Sequence, residues 1–334
     1  MIGQTVFNRI AVPLYLTNSV SIGYDSNYLK FSQTEMDDVS EKIELLGDSD
    51  TFDSHIIKPE FRLVYSPVLI DDYETNFIFK FSHNQYGQSR NKSYNNISMR
   101  FDYHIGPYNW LKIGYSRLPN YYLRTYEDHD TIDSERSSCS FKSETISLLY
   151  TFLIYENSWM HLKAYMSDLY FNPNFTEFDT EVYGGELKIT SDIMDQTRLS
   201  AKLGKGTGVN STFNSGMVST QFDRSYEYDM IGISVEHTPI STFSRVGGSL
   251  IVNLRKYRSE LSNDPLHAGR LHYDLRSSIY AKYDLTDRLE TELRWNYREK
   301  LTESKYDWVE ELKSYSKYEF WVKFNYDFYL DLFY

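Results

Sequence analysis

YEFWVKFNYDFYLDLFY, residues 318–334, carries an apolar or aromatic side chain at every second position: Tyr318, Phe320, Val322, Phe324, Tyr326, Phe328, Leu330, Leu332 and Tyr334. Between them stand Glu319, Lys323, Asn325, Asp327 and Asp331. Strand side chains alternate between two faces, so the segment predicts a strand with one continuous apolar face and one mostly polar face. The run is 17 residues long, whereas a tilted strand needs only roughly 9 to 11 to cross the hydrocarbon of a bilayer. It is written as a lipid-facing strand with overhang.

The rest of the chain repeats this pattern. Phe61, Leu63 and Tyr65 alternate with Glu60, Arg62 and Val64; Ile97, Met99, Phe101 and Tyr103 alternate with Ser98, Arg100, Asp102 and His104; Leu293, Trp295 and Tyr297 alternate with Glu292, Arg294 and Asn296. Short breaks fall near Ile70–Tyr73, Gly106–Asn109, Tyr155–Ser158, Met194–Thr197, Pro239–Phe243 and Leu285–Arg288. Longer polar breaks lie between them, near 33–54, 86–93, 128–137, 172–181, 204–223, 259–267 and 302–312. Seven long and six short connections make about fourteen strands, with both ends of the chain on the short-turn side. Tyr65, Tyr73, Tyr108, Trp110, Trp159, Tyr283, Trp295 and Tyr297 stand near strand ends, where amphipathic rings suit a headgroup layer.

These observations predict an all-β fold, a transmembrane antiparallel up-and-down β-barrel with short periplasmic turns and longer extracellular loops. The expected division is an N-terminal periplasmic segment at 1–18 and a barrel at 19–334. A soluble sandwich or a propeller fits the alternation but not the uniformly long strands. No window holds the 18 or more consecutive apolar residues of a transmembrane helix. Residues 1–19 lack the basic and apolar regions of an intact secretory signal, so the chain is expected to begin at its mature form.

The chain has 334 residues, 31 of them tyrosine, and a net charge of −12. That balance argues against a nucleic-acid partner. Cys139 is the single cysteine, so no disulfide framework or thiolate metal site is expected, and it reads as a lone thiol near a loop. No metal and no cofactor are expected. Asp128, His129 and Asp130 are adjacent in one loop, without the strand-fixed geometry that water activation needs, and no enzymatic activity is expected. LGKGTGVNSTFNSGM, 203–217, has no Walker pattern and reads as a flexible extracellular loop.

Function is therefore expected on the inward face. Candidate lumen-facing residues are Arg62, Lys80, Arg100, Asp102, Lys112, Lys163, Lys188, Arg255, Asp274, Arg276, Glu290, Glu292, Arg294, Glu319 and Lys323. They form a charged pore wall that sets solute selectivity, or cross-strand ion pairs that satisfy one another. A modest basic surplus hints at anion preference. The first long loop, QTEMDDVSEKIELLGDSDTFD at 33–53, reads chiefly as a solvated acidic surface, bridged by cations to lipopolysaccharide. A folded-in constriction or divalent cation binding is the alternative, although the acids lack the Asp/Asn and Gly positions of an EF-hand loop, and Asp37–Leu46 has the spacing of a short helix.

Two local resemblances add to this. The terminal strand resembles the sorting signal read by the outer-membrane assembly machinery of Gram-negative bacteria, which implies a bacterial outer-membrane location with membrane lipid, lipopolysaccharide and that machinery as partners. SIGYDSNYLKFS, 21–32, resembles the opening strand of barrels that export polysaccharide or surface lipoproteins, resting on Gly23, Tyr24, Asp25, Ser26 and Asn27. It implies a periplasmic partner, since such exporters often carry a helical-repeat domain that this chain lacks. The leading expectation is a monomeric porin-like channel for small polar solutes. The alternatives are an export or assembly barrel working with that partner, and a structural or adhesive surface barrel with a closed lumen.

Overall fold

The computed structural model describes residues 9–69, 73–127, 136–239, 243–260 and 264–330. Fourteen antiparallel strands close into one barrel, each paired with its sequence neighbours and the first with the last. They are β1 Leu14–Asp25, β2 Ser54–Tyr65, β3 Thr75–Tyr86, β4 Tyr94–Gly106, β5 Asn109–Glu127, β6 Arg136–Tyr155 and β7 Ser158–Phe171. The circuit continues with β8 Thr180–Met194, β9 Thr197–Asn210, β10 Tyr226–His237, β11 Arg245–Tyr257, β12 Leu271–Thr286, β13 Leu289–Glu303 and β14 Tyr315–Leu330. Closure leaves no unpaired edge, so every strand's backbone can be satisfied without water, as a bilayer requires.

The register carries the alternation around the whole wall. Ile22 stands opposite Val322 and Ile57, Phe61 opposite Phe81, and Phe77 opposite Phe101. Leu203 stands opposite Leu187 and Ile231, and Ile279 opposite Trp295. These side chains are exposed although apolar; Ile146, Leu203, Ile231, Ile279 and Phe320 are all more than half exposed, led by Ile146 at 61%. A continuous outward apolar belt of this kind is covered by lipid.

Two boundaries differ from the sequence reading. β1 starts at Leu14 rather than Ser19, because Leu14 and Leu16 extend the outward row opposite Leu330 and Phe328. Pro13, which has no N–H to give a ladder, precedes it. Gly204, Gly206 and Gly208 lie within β9 instead of a loop. A side chain at Gly206 would overlap the Tyr228 ring and the Tyr183 carbonyl oxygen, and one at Gly208 would overlap Tyr226. Gly206 and Gly208 are therefore wall positions that make room for tyrosine rings from β10, and Gly204 makes room for Met230. Cys139, the fourth residue of β6, lies near the preceding connection as expected and is fully buried.

Two helices sit in the long connections: α1, Gln33–Asp38, and α2, Asp307–Lys313. The expected helix at Asp37–Leu46 is instead α1 followed by a 3-10 turn at Ile43–Leu46. A capping box fixes the start of α1: the Ser32 hydroxyl accepts from the Glu35 N–H at 3.2 Å, and Glu35 accepts from the Ser32 N–H at 2.9 Å. Trp110 and Trp159 share the inner face with Asp102 and Lys163 rather than joining an interfacial girdle, since the outward row of β5 runs through Leu111 and Ile113. Trp110 stacks on His104 with ring centroids 4.1 Å apart.

Candidate functional site

The lumen has two unlike halves. At the short-turn end a cavity of about 800 Å³ is lined by Thr17, Ser19, Lys58, Glu60, Arg62, Lys80, Ser82, Asn96, Ser98, Glu290, Lys323, Asn325 and Asp327. Its wall is organised by short polar contacts between neighbouring strands. Lys323 reaches Glu60 at 3.0 Å and Lys58 reaches the same carboxylate at 3.6 Å. Asn325 donates to Glu290 at 2.8 Å, and Ser19 and Thr17 donate to Asn325 and Asp327 at 2.7 Å each. Arg62 and Lys80 stand directly opposite one another across β2 and β3. Asp284, Asp287 and Arg288 at the β12–β13 turn complete the lining, in which acids and bases balance. Neither Arg62 nor Lys80 has a carboxylate within ion-pairing distance among the described residues, so positive charge is concentrated locally at this pair.

The fifteen candidate residues share one register face of the barrel wall, opposite the one that carries the apolar belt. Arg62, Lys80, Glu290 and Lys323 line the cavity. Several of the others neutralise one another along the wall: Arg100 with Asp102 at 2.7 Å, Arg294 with Glu292 at 2.6 Å, and Arg276 with Asp274 at 2.6 Å. Lys163 pairs with Glu186 at 3.8 Å, which also takes Lys202 at 3.1 Å. Glu319 takes Lys317 at 2.5 Å. Lys112 sits 5.8 Å from the Trp110 ring, and the Arg255 guanidinium lies 4.1 Å over Tyr226. Lys188 faces Lys202 across β8 and β9. Ion pairs thus run along much of the wall, with cations lacking a close carboxylate at particular positions among the described residues.

The long-loop end is narrowed by its own loops. Residues 26–53 fold inward, and Tyr28, Leu29, Phe31 and Leu46 form a buried cluster with Tyr122 of β5. The solvated acidic surface is therefore only one side of this loop: Asp37, Glu41, Glu44, Asp48 and Asp50 face solvent. Glu35 is instead buried, and Arg124 pairs with it at 2.9 Å while covering the Phe31 ring at 5.4 Å. Lys92, only 1% exposed, donates to the carbonyls of Tyr122 at 2.7 Å and Leu123 at 3.1 Å. Its amine lies 4.6 Å from the Tyr121 ring. From the opposite wall, Lys313 of α2 comes within 5.8 Å of the Tyr126 ring on β5.

Loop amines in this half titrate unusually. Enclosure, then the neighbouring charges of Arg298 and Lys317, pushes Lys30 down to about 7. Enclosure together with Arg124 and Arg270 pushes Lys313 down to about 7 as well. Lys92 is held well below the ordinary lysine value, chiefly by burial.

The residues around Gly23 close the barrel seam. Asp25 accepts from Lys317 at 2.7 Å, Ser26 donates its N–H to the Tyr318 carbonyl at 3.0 Å, and Asn27 bridges the carbonyls of Phe31 and Ser316. Lys317, Arg298 and Lys300 were not picked out in the sequence, although they share the parity of Lys323 and Arg294. Asp128, His129 and Asp130 lie outside the described residues, as do 70–72 and 240–242 of two expected turns and 331–334 of the terminal run.

No protein-family model matches the chain, and no curated protein matches it. Solved structures do. A loop L8 deletion mutant of OmpT, an outer membrane protein of Vibrio cholerae, superposes with a TM-score of 0.51 at 7% identity, over 94% of this chain and 99% of that one. OmpT expressed in the outer membrane gives 0.50 at 7% identity, over 94% and 97%. The outer membrane channel DcaP of Acinetobacter baumannii gives 0.47 at 11% identity, over 94% and 96%. The likeness is one of fold. With its apolar outer belt, the closed 14-strand barrel has the architecture of outer-membrane β-barrels, and an outer-membrane location agrees with it.

Proposed function

We propose that the chain is an outer-membrane channel for small polar solutes, with a preference for anions, whose long-loop mouth is narrowed by its own loops. The observation that carries this reading is the 800 Å³ polar cavity at the short-turn end, where Arg62 and Lys80 stand side by side with no carboxylate in ion-pairing distance among the described residues, a local cationic spot in a lining whose acids and bases otherwise balance. Side chains at such close quarters select ions by their charge. A fixed ladder of ion pairs further along the wall supplies hydrogen-bonding groups for a solute in transit.

A second reading, a surface barrel with a closed lumen, is favoured by the buried cluster of Tyr28, Leu29, Phe31, Leu46 and Tyr122 at the other mouth. Osmotic swelling of proteoliposomes separates the two. Swelling in small sugars and amino-acid salts, faster than in protein-free vesicles, is the expected outcome. Vesicles that stay impermeable to every small solute would leave the closed barrel standing and remove the channel.

A further inference from the structure

Beneath the long loops, on the wall formed by β11, β12 and β13, buried hydrogen-bonding atoms converge without partners. The His272 side chain is 4% exposed, and neither its Nδ1 nor its Nε2 has a hydrogen-bond partner. Thr302 stands directly opposite it across β12 and β13, is 5% exposed, and its hydroxyl is also unpartnered. Arg270, 5% exposed, leaves its Nε unpartnered. Native proteins rarely leave so many buried polar atoms idle in one place, because each forfeits its hydration.

The charge around these atoms has one sign. The charged groups acting most strongly on His272 are Lys300, Arg270, Arg255 and Lys313, all cationic. Those acting most strongly on Lys300 are Arg270, Arg255, Lys313 and Lys30. Two acids that could neutralise the group are already engaged. Asp264 lies 2.8 Å from His267 Nδ1 and 3.1 Å from the Ser259 hydroxyl. Asp274 takes Arg298 and Arg276. None of Arg255, Arg270, Lys300 and Lys313 has an ion pair with a carboxylate among the described residues. Tyr257 fixes the arrangement from one side: the Arg270 guanidinium lies 4.0 Å over its ring, and the His272 ring centroid is 5.3 Å from it.

The geometry points to a bound anion between Arg270, His272, Lys300 and Thr302, a small tetrahedral oxyanion of the phosphate or sulfate type. Such an ion carries enough charge to balance several cations, offers acceptors in four directions to the idle donors, and is small enough for an enclosed position. The site deepens the channel reading and rests on it for the anion's route through the lumen. Binding is therefore measured apart from conduction.

The test is calorimetric titration of the purified, detergent-folded barrel with inorganic phosphate, repeated with sulfate, acetate and chloride. Arg270→Gln and Lys300→Gln variants are titrated beside it, their folding verified by heat-modifiable mobility in gels. One phosphate per chain is expected, competed by sulfate, with affinity falling roughly ten- to hundredfold in each variant, as for loss of a charge-assisted hydrogen bond. No phosphate uptake by the wild-type barrel, or uptake unchanged in both variants, overturns the site. Equal binding of acetate overturns the tetrahedral assignment. Phosphate binding in a barrel that conducts nothing would spare the site and remove the channel, and the reverse pattern would do the opposite.

Discussion

Replacing Glu35 by glutamine isolates the ion pair that holds the first loop in the mouth. The Glu35 and Arg124 side chains are 11% and 10% exposed and meet at 2.9 Å. Glutamine keeps an oxygen to accept from the Ser32 N–H, so the cap of α1 survives and only the charge is removed. Breaking a buried pair by neutralising one partner costs about 3–5 kcal/mol. The lower end applies here, because Arg124 keeps its ring contacts at 5.4 Å with Phe31 and 4.9 Å with Tyr126. At about 1.4 kcal/mol per factor of ten, ~3 kcal/mol raises the undocked fraction of the loop about 100-fold. Tryptic cleavage reads this directly: Lys30 is half-buried while the loop is docked, whereas the Lys42 side chain is 53% exposed in any case. Cleavage after Lys30 should accelerate by that order in Glu35→Gln, with cleavage after Lys42 unchanged as the internal control. A double substitution with Arg124→Gln should recover part of the loss. An unchanged rate after Lys30 would refute the lock.

Docking of this loop should also tighten as pH rises. Lys30 titrates near 7 when docked and near the ordinary lysine value of about 10.4 when released, so between those values the released state binds more protons. Docking stability is fully present above the upper value, falls as pH drops towards 7, and is flat below; cleavage after Lys30, corrected with a peptide standard, should follow that curve, and a loop that loosened on alkalinisation would contradict it. Gly206→Val should destabilise the barrel by about 1–3 kcal/mol, because Tyr228 and the Tyr183 carbonyl must give way; urea unfolding in detergent measures it, and a neutral result would mean the ring does not lie against this glycine. Ile231→Arg, on the outward belt at 59% exposure, should cost about 2–4 kcal/mol if it sits near the midplane. Ser234→Arg, on the opposite face of the same strand, should cost less in the same folding assay in lipid vesicles; equal costs would argue against the assigned faces.

Much of this architecture was legible in the sequence because a barrel strand writes its environment twice, once on each face. The run from Tyr318 to Leu330 shows both, and the strand count follows from the alternating length of the breaks. Parity alone also placed residues as far apart as Arg62 and Lys323 on one wall. What remained hidden were features without a two-residue period. The glycines of β9 look like a loop until the tyrosines of β10 are set opposite them. Glu35 looks like one acid among many in a solvated loop until Arg124, 89 residues away, is brought against it. The cationic cluster around His272 escapes notice for a similar reason, since Arg270 and Lys313 come from connections whose inward folding no local pattern announces.

The most direct test of the channel is the current through single barrels in a planar bilayer under a potassium chloride gradient. The account predicts discrete conductance steps and a reversal potential displaced towards that of chloride, with the displacement reduced when Arg62 and Lys80 are both changed to glutamine. A membrane that stays silent after verified insertion, or a reversal potential at the potassium side that the double substitution leaves unmoved, would contradict it.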